Sequence, residues 1–108
     1  MKYIPYGHQT IDDEDIQAVI SVLKGDWLTQ GPLVSQFEEA IAEYVGVRYA
    51  VSFANGTAAL HGAYYAAGLQ DGDEVITSPI TFAATSNAAV YLGGSPVFAD
   101  ISPDTYCI

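Results

Sequence analysis

Two stretches of this sequence carry residue types that can do chemistry. Phe53-Ala54-Asn55-Gly56-Thr57-Ala58-Ala59 reads as a strand end, a glycine turn and a helix start. That arrangement aims free backbone N–H groups and the positive end of a helix dipole at one point, where a phosphate can bind. Gly56 lets the backbone come close to an anion, and the Thr57 hydroxyl can cap the helix or donate to a phosphate oxygen. The same residues also fit a turn capped by Thr57 that holds no ligand. A hairpin at Asn55-Gly56 fits less well, because the residues that follow are helical in pattern and do not alternate.

The second stretch is Thr77-Ser78-Pro79-Ile80-Thr81-Phe82-Ala83-Ala84-Thr85-Ser86-Asn87, a hydroxyl-rich loop that leads from a strand end into a helix. A planar ligand could stack on Phe82. Equally, Phe82 could be a core residue, with Ser78, Thr81 and Thr85 as ordinary turn and cap residues. No metal is predicted, since His8 and His61 share no ligand spacing and neither has a Cys or His neighbour. The carboxylates Asp12 to Asp15, Glu38, Glu39 and Glu43 read as solvated helix faces. Cys107, the only cysteine, cannot form an internal disulfide and reads as incidental.

The elements that position these stretches alternate between helix and strand. Asp12-Asp13-Glu14-Asp15, followed by Ile16, Val19, Ile20 and Leu23, predicts an amphipathic helix whose acidic start suits the helix dipole. Lys24 complements its other end, and Gly25 is expected to close it in the left-handed conformation. After the loop Asp26-Trp27-Leu28-Thr29-Gln30-Gly31, Pro32 starts a second helix that should bury Phe37, Ala40, Ile41 and Tyr44 and stop at Gly46. Tyr49 to Ala54 has the content of a short buried strand, and Thr57 to Ala67 of a helix ending at Gly68. A turn at Asp71-Gly72-Asp73, a strand over Glu74 to Thr77, a helix from Ala83 to Tyr91 and a strand over Pro96 to Ile101 follow. The predicted class is therefore α/β with a mainly parallel sheet flanked by helices, in which ligands sit at the C-terminal ends of strands.

At 108 residues the chain has the size of one domain or part of one. Its formal net charge of −10 has the wrong sign for nucleic-acid or anionic-membrane partners. No apolar run approaches a bilayer span, and the N-terminus lacks the pattern of a secretory signal. A soluble, cytoplasmic protein is expected.

In their order and spacing, six strings make the whole chain resemble the DegT/DnrJ/EryC1/StrS aminotransferases. They are Pro5-Tyr6-Gly7, Leu28-Thr29-Gln30-Gly31-Pro32, Phe37-Glu38-Glu39-Ala40, Asn55-Gly56-Thr57-Ala58-Ala59-Leu60, Gly72-Asp73-Glu74-Val75-Ile76-Thr77 and Pro79-Ile80-Thr81-Phe82-Ala83-Ala84-Thr85-Ser86-Asn87-Ala88. The resemblance implies the large domain of the fold type I pyridoxal 5'-phosphate (PLP) enzymes, with residues 1–31 as arm, helix and substrate loop and 32–108 as the start of the PLP-binding domain. It implies that Gly56, Thr57 and Ala58 hold the cofactor phosphate and that Phe82 stacks on the pyridine ring. It further implies that Tyr6, Asp26, Trp27, Leu28 and Thr29, together with Gly56, face a nucleotide sugar, with a homodimer as the working assembly. Thr29-Gln30-Gly31 with Pro79-Ile80-Thr81-Phe82 most resembles the branch that aminates UDP-linked 4-keto-6-deoxy hexosamines in pseudaminic-acid synthesis, with glutamate as amino donor.

Transamination needs a Schiff-base lysine and an acid beside the pyridine nitrogen. The only lysines are Lys2 and Lys24, and the resemblance places both functional groups further along a family chain. Asp100 reads as structural. The expectation is a truncated product or partial sequence, inactive alone. Two other classes remain open: a non-enzymatic phosphate- or nucleotide-binding α/β domain, and a fold type I PLP enzyme acting on amino acids.

Overall fold

The computed structural model describes residues 3–5 and 7–108, and the chain divides into two compact units, 1–50 and 51–108. The first unit holds two helices. In α1 (Asp13–Leu23) the Asp12 carboxylate accepts from the Glu14 and Asp15 amides, both at 3.0 Å, while Asp15 accepts from the Asp12 amide at 3.1 Å. This reciprocal cap satisfies donors that the helix itself leaves unpaired, and Asp13, Glu14 and Asp15 add negative charge at the positive end of the dipole.

The exit from α1 departs from expectation. Lys24 donates to Ile20, and the Gly25 amide bonds to the Val22 carbonyl at 3.0 Å. Gly25 does not enter the left-handed region, because a tightened last turn already closes the helix. The left-handed residue falls later, at Gln30 with φ 51°.

Helix α2 (Pro32–Val45) starts with proline in its first turn and closes at Gly46, whose φ of 73° is left-handed. Phe37, Ala40, Ile41 and Tyr44, expected to be buried, are all exposed, Tyr44 by 91%. Ala42 is the residue of this helix that is buried. Periodicity identifies an apolar stripe but not its neighbour, and within this unit α1 does not pack on α2.

The second unit contains α3 (Gly56–Ala66), β1 (Glu74–Thr77), α4 (Ala84–Val90) and β2 (Ser95–Phe98). Residues 49–54, expected as a strand, form no ladder among the described residues. A strand exists only where another segment takes up its hydrogen bonds. β1 and β2 pair in parallel with Glu74 opposite Ser95 and Thr77 opposite Phe98. The Ala99 amide extends the ladder to the Thr77 carbonyl at 3.0 Å, so the second strand ends short of Ile101.

Helix α4 is the crossover between the strands and packs on both of them and on α3. Its buried residues are small, Ala84, Ala88 and Ala89, which lets the helix backbone approach closely. α3 closes through paired bonds from Gly68 to Tyr65 and from Leu69 to Tyr64, and α4 through Gly93 to Val90 and Gly94 to Ala89. Both helices thereby turn sharply back toward the sheet. No helix among the described residues is long and apolar enough to cross a membrane.

Candidate functional site

The start of α3 owes its geometry to Asn55 and Phe53. Asn55 is the N-cap, in extended conformation, and its Oδ1 accepts from the Ala58 amide at 2.9 Å. The cap expected from Thr57 therefore comes from Asn55, because Thr57 already lies inside the first turn, where its hydroxyl is past the capping position. The ring of Phe53 lies against α3 at Gly62. A Cβ on Gly62 would fall 2.6 Å from the Phe53 Cζ, so a larger residue there would push away the segment that feeds the turn.

One consequence is a division of labour among the three residues expected to hold phosphate. The Ala58 amide is occupied by Asn55. The Gly56 and Thr57 amides precede the first intrahelical bond, which runs from Ala59 to Asn55 at 3.1 Å, and they have no partner among the described residues. Nothing lies within 4 Å of where a Gly56 Cβ would be, so no side chain packs over the backbone at Gly56. Two unpaired amides at the positive end of an 11-residue helix, next to a hydroxyl, suit a phosphate dianion.

Phe82 lies in the same unit, on the loop between β1 and α4, and its ring is 78% exposed. Local bonds hold this loop: Ser78 Oγ accepts from the Ile80 amide at 3.0 Å, and the Thr85 amide bonds to the Phe82 carbonyl at 3.0 Å. The Thr81 and Thr85 hydroxyls pair at 3.1 Å, and the Tyr64 hydroxyl of α3 donates to the Thr85 carbonyl at 3.1 Å. Sequence reasoning did not single out Tyr64. Its signal was its place on the helix that carries Gly56, but a pairing across 21 residues is not visible in local pattern.

Asp26, Trp27, Leu28 and Thr29 lie in the first unit, on the loop between α1 and α2. Asp26, Trp27 and Leu28, with Val19, Val22 and Leu33, line a largely apolar groove of about 530 Å³. A Cβ on Gly31 would lie 2.6 Å from the Trp27 Cβ; glycine at this N-cap lets Trp27 fold over the start of α2. Tyr6, the remaining residue expected to face substrate, lies outside the described residues, as does Lys2. Lys24 is the exposed C-cap of α1. Asp100 is exposed, and its carboxylate accepts from the Ile101 amide at 2.8 Å.

The chain spans about a quarter of the length of the curated relatives it matches. It is 48% identical over 101 residues to the UDP-4-amino-4,6-dideoxy-N-acetyl-beta-L-altrosamine transaminase of Campylobacter jejuni, covering 94% of this chain and 27% of the relative. Among solved structures it is similar to PseC of Helicobacter pylori, an aminotransferase involved in pseudaminic-acid biosynthesis, with a TM-score of 0.84 and 41% identity over 95% of this chain and 28% of that one. NtdA of Bacillus subtilis, solved with bound PMP, gives a TM-score of 0.80 at 36% identity over 91% of this chain and 23% of that one. Residues 9–108 match a single family throughout. The chain belongs to the DegT/DnrJ/EryC1/StrS aminotransferase family.

Proposed function

We propose that these residues supply the phosphate cradle and ring platform of a PLP-dependent transaminase. In this reading the enzyme moves an amino group from glutamate to C4 of a UDP-linked 4-keto-6-deoxy sugar, in nucleotide-sugar and polysaccharide biosynthesis. The observation that carries the cofactor reading is the pair of amides at Gly56 and Thr57, unpartnered among the described residues at the start of α3, in a chain of an aminotransferase family. The family membership, and the relative that holds PMP, favour this over a nucleotide-binding domain without chemistry. The substrate class rests on the relative named for a UDP-amino sugar.

Each residue has a part that its own chemistry supports. Gly56 and Thr57 amides and the Thr57 hydroxyl would donate hydrogen bonds to the phosphate and orient it, fixing the cofactor by its most strongly charged group. Phe82 would lie against the flat face of the pyridine ring, keeping water from that side. Asp26, Trp27, Leu28 and Thr29, with Tyr6, would face the nucleotide sugar from a loop, where substrate choice is made. When bound, PLP would supply the aldehyde carbon that takes up the amino group and an electron sink for the carbon that loses a proton. Residues 1–31 are then the arm, helix and substrate loop and 32–108 the opening of the cofactor domain of a cytoplasmic homodimer.

The test is an amino-transfer assay on the protein as its source organism makes it, with PLP, glutamate and a UDP-linked 4-keto-6-deoxy hexosamine. The expected result is 2-oxoglutarate formed in step with the amino sugar. Turnover of amino acids with no response to UDP-sugars would point to the amino-acid class. Reversible PLP binding without any borohydride-trapped adduct would point to a module that binds without catalysing.

A further inference from the structure

We propose that Tyr64 is a positioning residue that braces the ring platform carrying Phe82 against the helix that carries Gly56 and Thr57. The proposal rests on the cofactor reading above and adds a residue to it. Tyr64 sits two turns into α3, and its part-buried hydroxyl donates to the Thr85 carbonyl at 3.1 Å. Thr85 is the hub of the loop: its amide bonds to the Phe82 carbonyl at 3.0 Å and its hydroxyl pairs with Thr81 at 3.1 Å. Thus a single side chain of the phosphate helix reaches a residue that holds the two residues at the centre of the ring loop.

Packing alone does not provide this tie. The buried face of α4 is made of alanines, whose dispersion contacts are non-directional and leave one helix free to slide along another by small steps. His61 of α3 meets the ring of Tyr91 edge-on at the far end of α4, with centroids 5.7 Å apart, which fixes that end but not the Phe82 end. No side-chain hydrogen bond other than that of Tyr64 links α3 and α4 among the described residues. A directional bond at the Phe82 end therefore sets the offset between phosphate donors and ring platform. A ligand anchored at both places needs that offset held to within about 0.5 Å.

The experiment uses the protein as its source makes it, in wild-type form and as Tyr64→Phe, which keeps the ring and removes only the hydroxyl. PLP affinity by equilibrium dialysis and the visible-region circular dichroism of bound PLP are the two readouts. The dichroism reports the orientation of the cofactor ring and would not move if Tyr64 merely stabilised the fold. The expected result is an affinity weakened about three- to tenfold, with an altered dichroism band. Thr81→Val, which cuts the hydroxyl pair on the other side of Thr85, should alter the same band and keeps the test available if Tyr64→Phe does not fold. If the wild type binds PLP and both variants match it in affinity and dichroism, the brace is refuted while the cofactor reading stands. A wild type that binds no PLP overturns the cofactor reading and the brace with it.

Discussion

Thr57 offers an anion two donors from one residue, a backbone N–H and a side-chain hydroxyl, and neither has a partner among the described residues. A hydrogen bond to a charged group contributes about 1.5–3 kcal/mol. Thr57→Val keeps the shape and removes the hydroxyl, so PLP affinity should fall about tenfold or more, measured by equilibrium dialysis. The amide of Thr57 survives the change, which is why binding should weaken without vanishing. The turn at Gly56 and the helix that follows it are legible in the sequence because a glycine turn before a helical pattern is a local signal. The capping role of Asn55 was less so, since Asn55 and Thr57 both have side chains able to cap and only the exact helix start distinguishes them. Phe82, 78% exposed, illustrates a different difficulty: an aromatic between a strand and a helix can face inward or outward, and local pattern does not distinguish the two.

At the scale of elements, the second unit depends on α4 being narrow. Ala88 and Ala89 are fully buried against α3 and the two strands. In the protein as its source makes it, Ala88→Leu should overpack this contact and cost about 1–3 kcal/mol, read as a lower urea midpoint with an unchanged slope. Helix boundaries were largely legible, because caps, prolines and glycines act within a few residues of where they stand. The parallel pairing of β1 and β2 followed from the strand-helix-strand order. The segment 49–54 has the β-branched and aromatic residues of a strand, yet whether such a segment pairs depends on a neighbour that its own sequence does not specify. The same holds for α2, whose periodicity gives its apolar stripe but not the surface that would cover it.

Across the whole molecule, large apolar side chains lie outside while the buried set is small. Phe37, Tyr44, Ile76 and Phe98 are exposed, and among the described residues those buried are Ala42, Thr77, Ala84, Ala88, Ala89 and Gly94. Exposed apolar faces of this extent mark surfaces that other protein covers, in a chain spanning about a quarter of the length of its relatives. The 108-residue polypeptide prepared alone should therefore bind the dye ANS strongly and unfold in urea without a sharp transition. A sharp, cooperative transition with no dye binding would show that these residues are sufficient for a closed core. The central claim, that Gly56, Thr57 and Phe82 hold PLP, is tested most directly by a crystal structure of the protein as its source makes it, grown with PLP. The account predicts phosphate oxygens within about 3 Å of the Gly56 and Thr57 amides and the pyridine ring against Phe82. A phosphate bound elsewhere, with the start of α3 left open, would contradict it.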